Sequence, residues 1–308
     1  MKNELRIFCP ATIANISCGF DVLGVALDSV GDEMVIRKIS KKGVFITTLE
    51  GQELPMETDK NVAGVAGMAF LAASDYKGGF EIEIYKKIKA GSGIGSSAAS
   101  STGAVWAMNE LLDRPFTTLQ LVEFAMEGEK LASGVAHADN VAPALFGGFT
   151  LVRSYEPLDI IPINTPSELV ATVIHPQIEI KTSDSRKILK TNITLKDGIK
   201  QWGNLGGLVA GLFTEDYDLI GRSLEDHIVE PIRSILIPGF KEVKAGALGA
   251  GALGCGISGS GPSIFAFSKG KDTAEKVAQA MKEVYQKIGI AHDVHISKIN
   301  NVGIRILK

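Results

Sequence analysis

The stretch AGSGIGSSAASS, residues 90–101, holds a single side chain larger than a hydroxymethyl group, that of Ile94. Such a segment cannot build a core, so its surroundings decide its use. Upstream, Phe80-Glu81-Ile82-Glu83-Ile84 alternates apolar and acidic residues, the period of a half-buried strand. Downstream, Ala98, Thr102, Val105, Met108 and Leu112 recur every three or four residues, one face of a helix that Asp113-Arg114-Pro115 ends. The stretch therefore connects a strand to a helix N-terminus. Glycines there let backbone N–H groups approach a ligand, and the helix dipole favours negative charge. Ser96 and Ser97 fall in the first turn, where a hydroxyl caps the helix or reaches the ligand. The context favours a phosphate over the alternative, a small-residue turn packed tightly under a neighbouring element. A Walker A loop does not fit it, because no Lys follows Gly95.

Farther along, a helix is expected over Thr118–Ser133, capped by Thr117 or Thr118, and a strand over Phe149–Arg153. Pro157–Pro166, with three prolines, reads as a crossing segment between domains. Leu169–Ile174 is a continuous apolar strand, Ser183–Leu189 begins a helix and Ile199–Phe213 forms another. A helix around Phe240–Leu248 leads into CGISGSGPSIFAF, followed by a strand at Ser263–Phe267, an amphipathic helix over Asp272–Ile288 and late strands at Val294–Ile299 and Val302–Leu307. Strands and helices mix without a βαβ period, which favours an α+β fold. Gly249–Gly254 matches G-x-G-x-x-G, but no strand precedes it, so it reads as a helix end running into a turn rather than a dinucleotide site.

Composition narrows the function classes. The chain has 308 residues, 45% hydrophobic and 22% charged, enough apolar material for a substantial core. Net charge is −3 with no Lys/Arg stripe, which argues against nucleic-acid binding. The longest apolar run, Val62–Ala73, is too short to span a bilayer, and the charged start (Lys2, Glu4, Arg6) lacks a signal-peptide core. Cys9, Cys18 and Cys255 have no metal spacing, and so sparse and odd a count fits a reducing, cytoplasmic setting.

AGSGIGSSAASS resembles the ATP loop of the galactokinase, homoserine kinase, mevalonate kinase and phosphomevalonate kinase (GHMP) superfamily. CPATIANISCGFDVLG, residues 9–24, resembles its N-terminal substrate motif, and GISGSGPSIFAF, residues 256–267, its C-terminal glycine motif. The resemblance implies two α+β domains: a first like domain 2 of ribosomal protein S5, over residues 1–165, and a ferredoxin-like second over residues 166–308, with ATP in the cleft between them. ATP would lie along Lys89, Ala90, Gly91, Ser92, Gly93, Ile94, Gly95, Ser96 and Ser97, with Asn61 beside the adenine.

The acceptor sets the subfamily. An amino acid presents a carboxylate, which suits the planar fork of Arg, and an ammonium, which suits Asp or Glu. Asn15 and Asp21 in the first motif, His137, Asp139 and Asn140 in SGVAHADNVAPALFGGF, Arg186 in KTSDSRKIL and Arg233 in VEPIRSILIPGF each resemble a segment of the homoserine kinases. That resemblance implies that Arg186 and Arg233 hold the carboxylate and Asp21 the ammonium, while Asn15, His137, Asp139 and Asn140 position the rest of L-homoserine. It gives Ser97 and Glu129 to Mg²⁺, and Ser97, Glu129 and Asn140 to catalysis. The implied reaction makes O-phospho-L-homoserine on the route to threonine, in a soluble enzyme compatible with a homodimer. Several relatives pair an Asp at the position of Asp139 with a Lys in the first motif, but residues 10–24 contain no Lys here. Direct attack by the substrate hydroxyl is therefore expected, rather than removal of its proton by Asp139.

Overall fold

The computed structural model describes residues 3–180 and 182–307. The alternating and apolar stretches become strands β1 (Glu4–Ala14), β2 (Leu23–Ile39), β3 (Gly43–Glu50), β4 (Gly79–Tyr85), β5 (Phe149–Tyr155) and β6 (Leu158–Ile163). With β11 (Arg305–Ile306) they form one sheet, in the order β11-β1-β2-β4-β3, while β5 pairs with β2 and with β6. All these pairings are antiparallel except β3 with β4. Helices α1 (Val62–Ala73), α2 (Ser96–Leu111), α3 (Thr118–Ser133) and α4 (Val141–Phe146) pack against this sheet and one another. Thr117 closes a capping box with Gln120 at the start of α3, and Gly134 ends the helix in a left-handed conformation. Edge-to-face contacts among Phe70, Phe116 and Phe124, with centroids 5.0–5.8 Å apart, fix α1 against α3.

The second sheet contains β7 (Leu169–Pro176), β8 (Gly254–Ile257), β9 (Ile264–Lys269) and β10 (His292–Lys298), ordered β10-β7-β9-β8 and antiparallel throughout. Counted along the chain this order is 4-1-3-2, the split βαβ arrangement of a ferredoxin-like domain. Between β7 and β8 lie α5 (Thr182–Lys187), α6 (Leu195–Thr214), α7 (Tyr217–Ser223), α8 (Glu230–Arg233) and α9 (Phe240–Gly249). Between β9 and β10 lies α10 (Lys271–Ile288). Ile174, Phe240, Val243, Val277, Met281 and Tyr285 form the core under α9 and α10.

Two expectations need correction. The proline-rich 157–166 segment is not a free crossing: Leu158–Ile163 pairs with β5 from Phe149 to Tyr155. The strand tolerates Pro162 because β6 lies at the sheet edge, where a missing N–H breaks no second ladder. The last strand is only Arg305–Ile306, because the Asn300 side chain takes the N–H groups of Val302 and Gly303 into a turn. Gly249 ends α9 and leads through a turn into β8, as expected of a sequence without a preceding strand.

Candidate functional site

A cleft of about 710 Å³ opens between the two sheets' attendant loops. From the phosphate-like loop it is lined by Ala90, Gly91, Gly93, Gly95, Ser96 and Ser97; from the remaining predicted residues, by Asn15, Asp21, Glu129, His137, Asp139, Asn140, Arg186 and Arg233. Asn61, Lys89, Ser92 and Ile94 do not line it. Asn61 instead caps α1, accepting from the N–H groups of Ala63 and Gly64 and donating to the Pro55 carbonyl. Lys89 donates to the Gln177 side chain at 2.7 Å, and Ile94 is buried in the core.

The loop enters α2 through Gly95, and no side chain caps that helix, so its first N–H groups face the cleft mouth. Gly95 has φ 71° and lies so close to Thr12 that a β-carbon would come within 2.0 Å of Thr12 Oγ1. Gly93, with φ 82°, abuts the carbonyls of Ser258 and Gly261. The two serines split their roles. Ser96 Oγ turns inward to the Ile88 carbonyl at 2.9 Å, while Ser97 Oγ donates to Glu129 Oε2 at 3.0 Å.

Glu129 is buried, and burial raises its pKa to about 7 against the lowering effects of Ser97 and Lys86. Its Oε1 is buried without a hydrogen-bond partner. A desolvated hard oxygen beside a serine hydroxyl is a donor set that fits a divalent cation. Among the described residues no three His, Cys, Asp or Glu gather as a metal cluster. A cation at Ser97 and Glu129 would thus keep most of its coordination for phosphate and water, the habit of Mg²⁺.

At the other end of the cleft, the first motif turns sharply, with positive φ at Asn15, Ile16, Ser17 and Asp21. Asn15 braces the turn: its Oδ1 accepts from the Asp21 N–H at 2.9 Å, and its Nδ2 donates to the Gly259 carbonyl at 2.7 Å. Arg186 Nη2 donates to both carboxylate oxygens of Asp21, at 2.8 and 3.0 Å, and His137 Nδ1 lies 3.8 Å from the same carboxylate. Arg233 is buried and donates to the carbonyls of Ser185 and Gly259, at 3.1 and 3.2 Å. Both guanidinium groups lie over the Phe20 ring, 5.4 and 5.0 Å from its centroid. Burial, with Arg186 adding to it, lowers the Arg233 pKa to about 10, so the group stays charged at neutral pH. The result is one carboxylate and two guanidinium groups on a single wall. That polarity is complementary to a zwitterionic amino acid.

Between these ends sit Asp139 and Asn140. Asn140 Oδ1 accepts from Thr12 Oγ1 at 2.7 Å. Asp139 is buried, and desolvation together with the nearby Asp21 and Glu129 raises its pKa to about 7. Burial lowers the His137 pKa, so the ring tends to the neutral form.

The third motif joins the two ends. Ser258 Oγ donates to the Gly93 carbonyl at 2.7 Å, the Gly259 N–H to the Ala14 carbonyl at 3.2 Å, and the Ser260 carbonyl accepts from Ser185 Oγ at 3.0 Å.

Several contributors escaped the motif reading. Lys86 lines the cleft, is buried, and bonds Asp32, the Ser96 carbonyl at 2.8 Å and Ser100 Oγ at 3.1 Å. Asp32 in turn accepts the N–H groups of Lys87 and Ile88, so the pair ties both stems of the loop. The signal was present: Phe80, Ile82 and Ile84 are the inward phase of β4, and Lys86 continues it. Gln201, on the buried face of α6, donates to the Cys18 carbonyl and to Asp226. Asp226 accepts the N–H groups that begin α8, the helix ending at Arg233.

Known proteins resemble this chain over nearly its whole length. The family model for the GHMP kinases N terminal domain matches residues 61–148, and that for the GHMP kinases C terminal matches residues 208–287. A homoserine kinase of Chloroherpeton thalassium is 48% identical over 97% of this chain and 98% of its own length. One from Xanthomonas campestris is 39% identical over 99% of this chain and 94% of its own. The crystal structure of a homoserine kinase from Cytophaga hutchinsonii superposes with a TM-score of 0.96 at 53% identity, covering 100% of this chain and 98% of that one.

Proposed function

This chain belongs to the GHMP kinases, and from that premise we propose that it transfers the γ-phosphoryl group of ATP to the side-chain hydroxyl of L-homoserine, giving O-phospho-L-homoserine and ADP. The observation that carries the acceptor is the wall of Asp21, Arg186 and Arg233 in the same cleft as the anion-ready loop. A sugar or an isoprenoid alcohol has no charge pair to match it. The homoserine kinase names of relatives 39–48% identical over nearly the whole chain support the same acceptor and a step on the route to threonine.

In this reading the triphosphate lies across residues 90–97 and the α2 N-terminus. Bound Mg²⁺ neutralises phosphate charge, and Ser97 and Glu129 would hold it. Homoserine exchanges its own charges into the Arg186–Asp21 pair, its carboxylate facing Arg186 and Arg233 and its ammonium facing Asp21. Asn140, fixed by Thr12, and Asn15 and His137 orient the chain of the substrate. The hydroxyl oxygen forms a bond to the γ-phosphorus as the bond to the β–γ bridging oxygen breaks, and ADP leaves. The hydroxyl proton passes late to an oxygen of the transferred phosphoryl group, since a loose transition state needs little early proton removal. Burial and the neighbouring carboxylates raise the pKa of Asp139 to about 7; because residues 10–24 hold no Lys to pair with it, Asp139 is given a positioning role here. Three separated, buried thiols fit a reducing cytoplasm, and no helix among the described residues is long and apolar enough to cross a membrane.

The test is ADP release from ATP with homoserine, serine, threonine, mevalonate, galactose and shikimate offered separately. Homoserine should be the preferred acceptor by kcat/KM. A preference for mevalonate or a sugar, or no turnover with any of them, would refute the proposal.

A further inference from the structure

We infer that Phe20 is a positioning residue for the acceptor: its ring holds Arg186 and Arg233 side by side and stands in for the counter-ion that Arg233 lacks, which leaves that arginine free for the carboxylate of the substrate. The inference rests on the reading of this wall as an amino-acid site. Phe20 lies in the turn of the first motif, directly before Asp21. Two adjacent residues therefore address Arg186, Asp21 through its carboxylate and Phe20 through its ring. Arg233 meets the same ring. Phe20 itself does not line the cleft. It is half-buried, yet it packs in neither hydrophobic core, and among the described residues it stacks on no other aromatic ring. The ring contacts it does make are the two guanidinium groups.

The charges explain why a ring stands there. Arg233 is 3% exposed and, among the described residues, forms no ion pair. Burial and the neighbouring Arg186 both work against its charge. An aromatic face presents negative density to both guanidinium groups while carrying no charge of its own. Such a contact is stronger on a desolvated cation than on an exposed one. Arg233 therefore gains more from the ring than Arg186, which is less buried and already pairs with Asp21. An Asp or Glu in place of Phe20 would neutralise Arg233, but the carboxylate of the substrate would then have to displace it. A ring does not compete for the N–H donors. Arg233 Nη2 and Arg186 Nη1 donate to no group among the described residues, although both arginines are held by their other nitrogens. Cations fixed in place with donors uncommitted lose little freedom when a carboxylate arrives.

The test replaces Phe20 in the whole enzyme by phenylalanines carrying one, two and three ring fluorines. Fluorine withdraws density from the ring face and barely changes its shape, so a residue that only fills space would not respond. Homoserine KM should rise with each fluorine, reaching roughly three- to thirtyfold with three. ATP affinity measured without homoserine should not move. Phe20→Tyr keeps the aromatic face and should hold homoserine KM within about twofold of the wild type. Phe20→Glu should raise KM beyond the trifluorinated ring, because it occupies the arginines; if that variant fails to fold, the fluorinated series still decides. A homoserine KM indifferent to fluorination, in an enzyme that turns homoserine over, would overturn this inference alone. A wild type that does not phosphorylate homoserine would overturn the acceptor reading and this inference with it.

Discussion

Arg186 is the more informative of the two cleft arginines to alter. Arg233 is buried and bonds two carbonyls of the wall, so its loss disturbs structure as well as substrate. Arg186 is 36% exposed at its side chain and touches Asp21, so Arg186→Lys keeps the charge, loses the planar fork and spares the fold. A charged hydrogen bond is worth roughly 1.5–3 kcal/mol, or about ten- to a hundredfold in affinity. Homoserine KM should rise by that factor, while ATP affinity measured without homoserine stays within twofold. Glu129 is expected to behave differently, because the proposed reading has its charge answer to a cation and not to homoserine. Glu129→Gln should lower kcat by at least about a hundredfold under saturating homoserine, the scale of a lost charge stabilisation, with homoserine affinity little changed. Wild-type turnover by this variant at limiting Mg²⁺ would remove Glu129 from the cation site.

The same residue governs a pH effect. Burial raises the Glu129 pKa from 4.5 to about 7 in the ligand-free fold, so the folded state holds this proton more tightly than the unfolded chain does. Its stabilising contribution is therefore complete below pH 4.5 and is lost as pH rises through about 7. Asp139, raised from 3.8 to about 7, adds in the same direction. The melting temperature of the ligand-free protein should fall between pH 5 and pH 8 less steeply in Glu129→Gln than in the wild type. Equal slopes would mean that Glu129 is not buried in its charged form.

At the scale of elements, α2 shows why small residues fill residues 90–101. Ala98, Ala99, Ser101, Thr102 and Ala104 are fully buried, so the helix lies tight under the first sheet while its open N-terminus faces the cleft. Gly93 has a second constraint that the phosphate reading did not contain. It is packed against the third motif, and a β-carbon there would come within 2.6 Å of the Gly261 carbonyl. Gly93→Val should therefore weaken ATP binding and also loosen Ser258–Pro262, which calorimetric ATP titration and amide exchange of residues 258–262 would register together. Lost ATP binding with full protection of residues 258–262 would separate the two effects and contradict the packing account. Periodicity made β4, α2, α3, β7 and α10 legible, because each is long and regular. It failed at β6, where Pro162 mimics a linker but occupies a sheet edge, and at Val302–Gly303, where one asparagine side chain outcompetes a strand.

At the scale of the molecule, the site is assembled from segments far apart in the chain: Asp21 beside Arg186, Gly93 beside Ser258, Asn15 beside Gly259. Spacing alone could not bring them together, since every one of these contacts depends on how the two sheets' loops meet. Residue chemistry could name most of the participants, because a phosphate loop, an acid and two arginines each announce a ligand type. It missed Phe20, Lys86 and Gln201, which hold other groups in place rather than meet a ligand's charge. The account rests on Asp21 reading the ammonium of an amino acid in a cleft built for phosphoryl transfer. The direct measurement is kcat/KM for homoserine and for 4-hydroxybutyrate, which lacks the amino group, in the wild type and in Asp21→Asn. Wild type should prefer homoserine strongly, and Asp21→Asn should lose most of that preference by losing homoserine turnover while sparing the analogue. An equal fall for both substrates would contradict the assignment of Asp21 and with it the reading of the acceptor from this wall.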